Sequence, residues 1–75
     1  MKKNNNLTET EKSALRKLKR LEKTWPDTLW LFSAAGRLHV MQYDENGNQA
    51  ETKSGSVDSN YSIGVINIPN SGGDW

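Results

Sequence analysis

This sequence predicts an α+β domain in which one N-terminal amphipathic helix packs on a small three- to four-stranded antiparallel sheet. Residues 8–24 repeat apolar side chains at helical spacing. Residues 28–43 and 61–68 are rich in aromatic, β-branched or alternating apolar side chains, which is typical of strands. Turn residues separate these segments. Laying the helix across one sheet face is the simplest way to bury both patterned surfaces.

The predicted helix begins with a capping box. Thr8 suits the N-cap position, and Glu11 stands at the third helical position. One apolar stripe then recurs at spacings of three and four residues and consists of Ala14, Leu15, Leu18, Leu21 and Trp25. Pro26 cannot continue a helix and disfavours helical geometry in the residue before it. We therefore expect the helix over residues 8–24.

Short strands are predicted for most of the remaining chain. Residues 28–34 are apolar and aromatic, and the tight turn at Gly36 leads into an alternating strand over 37–43. After a second turn, a short edge strand over 50–53 stays an open alternative. The last strand is predicted over 61–68 because β-branched residues dominate it.

The length of 75 residues predicts one domain, over residues 8–69. Residues 1–7 are expected to form a disordered N-terminal tail, and residues 70–75 a flexible C-terminal tail. Trp75 has two interpretations, because its ring either packs on the sheet or is offered to a partner. The chain has no cysteine and one histidine, which excludes disulfides, thiolate metal sites and a classical zinc site.

Catalytic and ligand-binding motifs are missing. His39 is the single histidine, and nothing in the sequence aligns it with a serine and a carboxylate. The run that starts at Asp44 resembles the beginning of a calcium loop, but Gln49 and Gly55 replace the required glycine and glutamate. We therefore expect no enzyme, no cofactor and no metal.

Charge is distributed unevenly along the chain. Residues 1–27 carry eight basic and four acidic side chains, whereas residues 28–75 carry two basic and five acidic ones. One face of the predicted helix is basic and consists of Lys12, Arg16, Lys19, Arg20 and Lys23. This face is a solvated surface, an electrostatic contact for an acidic protein, or a phosphate-binding stripe. In the second case the contacts are Arg16, Lys19, Arg20 and Lys23; in the third, all five cations bind nucleic acid.

Both faces of the predicted sheet carry apolar side chains. Leu29 and Leu31 point to one face, and Trp30 and Phe32 to the other. One helix covers only one face, and an uncovered patch is unusual for a monomer. We therefore expect a binding or regulatory module that acts by protein–protein interaction, with Trp30 and Phe32 as apolar anchors. The partner is an unknown protein or a second copy in a homodimer, and the alternative function is a nucleic-acid-binding accessory protein.

Two blocks of sequence carry a resemblance, namely 29–34 with its following glycine and 68–75. Through them the chain resembles the small uncharacterised proteins encoded by bacteriophages and prophages. This resemblance implies an accessory protein in a bacterial or phage cytoplasm, and it implies no activity and no site residues. A cytoplasmic location also fits the absence of an apolar segment after Lys2 and Lys3. No run approaches the about 20 apolar residues that cross a bilayer, so no membrane partner is expected.

Overall fold

A computed structural model describes residues 6–73 of the chain. Its elements are α1 (Glu9–Thr24), β1 (Leu29–Ala34), β2 (Arg37–Gln42), a 3-10 turn (Ser59–Tyr61) and β3 (Ser62–Ile66). The strands form one antiparallel sheet in the order β1-β2-β3. The predicted α+β class is confirmed. The alternative strand over 50–53 is wrong, because that segment makes only the isolated bridge between Glu51 and Val57.

The start of α1 shows the predicted capping box. Thr8 Oγ1 accepts a hydrogen bond from Glu11 N at 3.1 Å, and Glu11 Oε1 accepts one from Thr8 N at 2.9 Å. Two backbone donors that lack partners inside the helix are therefore satisfied. At the other end Trp25 is extended, with a ψ of 128°, and Pro26 follows it.

A tight turn joins β1 to β2. Both central residues have a positive φ, 54° at Ala35 and 78° at Gly36, as a hairpin turn of the I′ type requires. This turn pairs Ala34 with Arg37 and sets the register of the hairpin. The pairing of β2 with β3 is irregular between Val40 and Met41.

The helix does not lie across the sheet, and this corrects the predicted packing. No residue of α1 is buried, and Leu15, Leu18 and Leu21 remain 46%, 58% and 46% exposed. Residues 25–28 alone join α1 to β1, and the Trp25 indole Nε1 donates to Leu29 O at 2.9 Å. This contact holds the C-terminal turn of α1 at the start of β1, while the rest of the helix extends beyond the sheet.

The core is small and the molecule is elongated. Ala34, Met41 and Ala50 are the buried apolar residues of the described chain. The radius of gyration is 15.4 Å, whereas a compact domain of this length has about 11.4 Å. The principal extents are 46, 29 and 19 Å.

Residues 70–73 lie against the end of β1. Gly73 forms a parallel bridge with Ala34, and Gly73 O accepts from Ala35 N at 3.3 Å. Asn70 contacts the Ser33 hydroxyl and donates through Nδ2 to Gly36 O at 3.4 Å. The interpretations of Trp75 and of residues 1–5 lie outside the described residues.

Candidate interaction surface

The two faces of the sheet differ in how well they are covered. The register places Trp30, Met41 and Phe32 on one face, which we call the aromatic face. It contains the fully buried residues Ala34 and Met41. The other face, which we call the leucine face, is formed by Leu29, Leu31, Leu38, Val40 and Ile66. There Leu31 is 48% exposed and Ile66 39% exposed. On the aromatic face Val65, which pairs with His39, is also exposed, so both faces leave apolar side chains in solvent, and the leucine face is the one that has no fully buried residue.

The exposed leucine face meets the exposed helix stripe. A shallow hollow of about 430 Å³ is lined by Leu18, Leu21, Glu22, Trp25 and Leu31, and we call it the apolar groove. Four of its five side chains are apolar, and Glu22 is the charged one. The indole bond from Trp25 to Leu29 O holds the helix side of the groove against the sheet side. An open apolar surface of this kind is uncommon on a monomeric protein, so the groove is the candidate site.

The basic face lies on the opposite side of α1. At about 100° per residue, the five predicted cations fall roughly half a turn away from the leucine stripe. All five are exposed, and within residues 6–73 the single ion pair joins Lys12 Nζ to Glu9 Oε2 at 3.4 Å. The stripe of Arg16, Lys19, Arg20 and Lys23 is therefore free of carboxylate partners in the described chain.

The predicted anchors Trp30 and Phe32 belong to a compact aromatic cluster. The Trp30 ring centroid lies 5.9 Å from that of Phe32 and 6.3 Å from that of Tyr43. Both anchors are half-buried. The structure does not bring them onto one surface with the predicted cations, since the aromatic face points away from the helix and the basic face points away from the sheet.

The sequence pattern predicts an interior position for Leu18, Leu21, Trp25 and Leu31, the residues that line the apolar groove in the structure. Their spacing at three and four residues was the available signal, but the same spacing describes a stripe that packs within the chain and one that packs on another molecule. For Leu31 the pattern is strand alternation, which places its side chain on the other sheet face from Trp30 and Phe32. Neither signal states which face is covered.

The polar groups considered for catalysis or metal binding have other contacts in the structure. His39 Nδ1 lies 3.2 Å from Ser62 Oγ across the β2–β3 pair. Asp44 Oδ1 accepts from both Asn46 N and Asn48 N at 2.9 Å, which closes the second turn. The described residues contain no cluster of histidine and carboxylate side chains suited to a metal ion.

No protein-family model, no curated protein and no solved structure matches this chain. Within residues 6–73 no helix has the length and apolar character needed to cross a bilayer.

Proposed function

We propose that this chain is a small non-enzymatic binding module that acts by protein–protein interaction through the apolar groove. The observation that carries the proposal is the exposure of Leu18, Leu21 and Leu31 side by side on one surface. Burying a leucine of this kind is worth about 1.5–3 kcal/mol, so a partner seated in the groove gains substantially. Trp25 adds an aromatic side chain, the residue type enriched at interaction hot spots.

The predicted cations have a supporting part in this proposal. Arg16, Lys19, Arg20 and Lys23 form an exposed positive stripe, which would speed the approach of an acidic partner. Trp30 and Phe32 then serve chiefly to hold the sheet together, because they pack with Tyr43. The resemblance to phage-encoded proteins supports an accessory role in the cytoplasm.

A photo-crosslinking side chain at position 18, introduced in living cells, tests the proposal. We expect a protein–protein adduct at this groove position that survives nuclease treatment. The matched control places the same side chain at position 16, on the basic face of the same helix. Absence of any protein adduct at position 18, with the chain folded, would contradict the proposed function.

Nucleic-acid binding is the second candidate function, and the unpaired stripe of Arg16, Lys19, Arg20 and Lys23 favours it. Each phosphate neutralised by a cation makes the affinity fall as salt rises. This function predicts salt-dependent binding of a labelled duplex or single strand that Arg16→Glu with Arg20→Glu abolishes. The exposed position of both residues leaves the helix content unchanged, as circular dichroism would verify.

A further inference from the structure

The helix stripe has the spacing of a two-stranded coiled coil. Ala14, Leu18, Leu21 and Trp25 follow one another at intervals of four, three and four residues, which is the alternation of d and a positions in a heptad. Ala14, Leu18 and Leu21 are exposed on α1, and the half-buried Trp25 follows at the extended residue that ends the helix. Leu18, Leu21 and Trp25 line the apolar groove, and Ala14 continues it. Glu11, one turn earlier at an a position, is engaged in the capping box, so the apolar seam begins at Ala14.

We propose that the occupant of the apolar groove is a second copy of this chain, with the two α1 helices parallel and in register. The inference rests on the proposed function, because it names the partner of the same surface. A seam of two a and two d residues is short. The exposed side chain of Leu31 lies beside Leu18 and Leu21 in the groove and widens the contact.

Charge complementarity sets the direction of the pairing. The heptad places Lys17 at a g position and Glu22 at the e position of the next heptad. In a parallel pair, g side chains of one helix lie beside these e side chains of the other, where opposite charges choose orientation. The two residues are about 140° apart around their own helix and do not face each other there. Neither makes an ion pair within residues 6–73, so both are available to the partner.

The surface to be covered consists of leucine side chains left in solvent. Leu15, Leu18, Leu21 and Leu31 are 46%, 58%, 46% and 48% exposed, and a second copy would bury them. A lipid surface is a poorer occupant, because Glu22 lines the groove and a carboxylate is costly among acyl chains.

Sedimentation velocity on the purified chain over a range of concentrations tests the pairing. We expect a concentration-dependent species of twice the chain mass. Lys17→Glu and Glu22→Lys should each weaken self-association about tenfold or more, since each sets like charges side by side at two symmetric places. The combined variant Lys17→Glu with Glu22→Lys restores opposite charges between the chains and should recover most of the affinity.

A single introduced cysteine tests the orientation, since the chain has none of its own. In parallel register the two copies of position 14 are neighbours at a d position, within the reach of a disulfide. Ala14→Cys should therefore form a disulfide-linked dimer under mild oxidation much faster than Ser13→Cys, its neighbour one position outside the seam. Equal rates for the two variants would exclude the parallel in-register arrangement.

Three results overturn the inference: a strict monomer at high concentration, failure of the charge exchange to recover affinity, or equal cross-linking. Circular dichroism on each variant shows whether α1 has formed, so loss of folding is not mistaken for loss of pairing. A monomer that still gives a protein adduct at position 18 in cells overturns the self-association and leaves the proposed function standing. A monomer without such an adduct removes both.

Discussion

Trp25 connects the helix to the sheet. Its backbone is extended and ends α1, and its indole Nε1 donates to Leu29 O at 2.9 Å. The same ring lines the apolar groove next to Leu21 and Leu31. One residue therefore ends the helix, orients it and contributes to the candidate site. Pro26 predicts the helix end from the sequence, but the hydrogen bond to Leu29 depends on how the chain turns after it.

Tyr61 lies near three carboxylates, those of Glu45, Asp44 and Asp58. Its hydroxyl lies 3.5 Å from Glu45 Oε2. The negative charge of Glu45, followed by partial burial and by the charges of Asp44 and Asp58, raises the pKa of Tyr61 above its usual 10.0. These carboxylates oppose formation of the phenolate. The folded protein therefore holds the phenol proton more tightly than the unfolded chain does.

Replacing Glu45 by glutamine should lower the pKa of Tyr61 toward 10.0, because the largest opposing charge is removed. The stabilising effect of the raised pKa is complete below the unfolded pKa and disappears as the pH rises through the folded pKa. Unfolding experiments should therefore show stability falling at alkaline pH, and less so in Glu45→Gln. NMR titration of the labelled tyrosine ring measures the pKa directly. Glu51→Gln is the control, and an equal shift in both variants would refute the assignment.

At the scale of elements, the helix and the hairpin follow from local chemistry. The capping box, the apolar stripe and Pro26 predict α1 within one residue at its start and at its end. The segment 50–53 is not a strand because its only ladder contact is the bridge from Glu51 to Val57. Thr52 N donates to Ser56 O at 2.7 Å, and Gly55 N donates to Thr52 O at 3.0 Å. The segment therefore turns back on itself instead of pairing with the sheet.

Residues 70–73 pack against the end of β1, where Gly73 forms a parallel bridge with Ala34. A side chain at Gly72 would place its Cβ 2.6 Å from Ser33 Cβ and 2.7 Å from Ser33 Oγ, which is closer than atoms pack. At Gly73 the same added atom meets nothing within 4 Å. Glycine at position 72 therefore permits the close approach that brings Asn70 and Gly73 to the end of β1.

Gly72→Ala should detach this segment from β1, because overpacking a tight contact costs about 1–3 kcal/mol. Amide exchange at Ala35, whose N–H donates to Gly73 O at 3.3 Å, reports the detachment and should accelerate. Gly73→Ala serves as the matched control and should leave that exchange rate close to the wild-type value. Similar protection of Ala35 in the two variants would show that the approach at Gly72 is unimportant.

For the whole molecule, the core is small, so each buried side chain contributes a large fraction of the stability. Met41 is fully buried, and it is the largest side chain in this condition among the described residues. A chain of 75 residues has a free energy of unfolding of about 4–11 kcal/mol. Removing the Met41 side chain beyond Cβ should therefore cost a large fraction of this free energy of unfolding.

Met41→Ala should lower the free energy of unfolding by about 2–5 kcal/mol, because it leaves a cavity in the sheet core. Urea unfolding at a fixed protein concentration measures the loss, since self-association would otherwise shift the midpoint. Gln42→Ala, at the exposed neighbouring position of β2, should change stability by about 0.5 kcal/mol or less. A loss below about 1 kcal/mol for Met41→Ala would mean that the core lies elsewhere.

Sequence patterns alone are sufficient for the α+β class, the capped helix, the Gly36 hairpin and the basic stripe, because each depends on neighbours a few residues apart. The tertiary structure was needed to learn that α1 leaves the sheet uncovered and that Leu31, rather than Trp30 or Phe32, faces solvent. An amphipathic pattern demands that its apolar side be buried but does not specify whether the covering surface belongs to the same chain. That choice depends on long-range packing, here on the short connection at residues 25–28 and the Trp25 contact with Leu29.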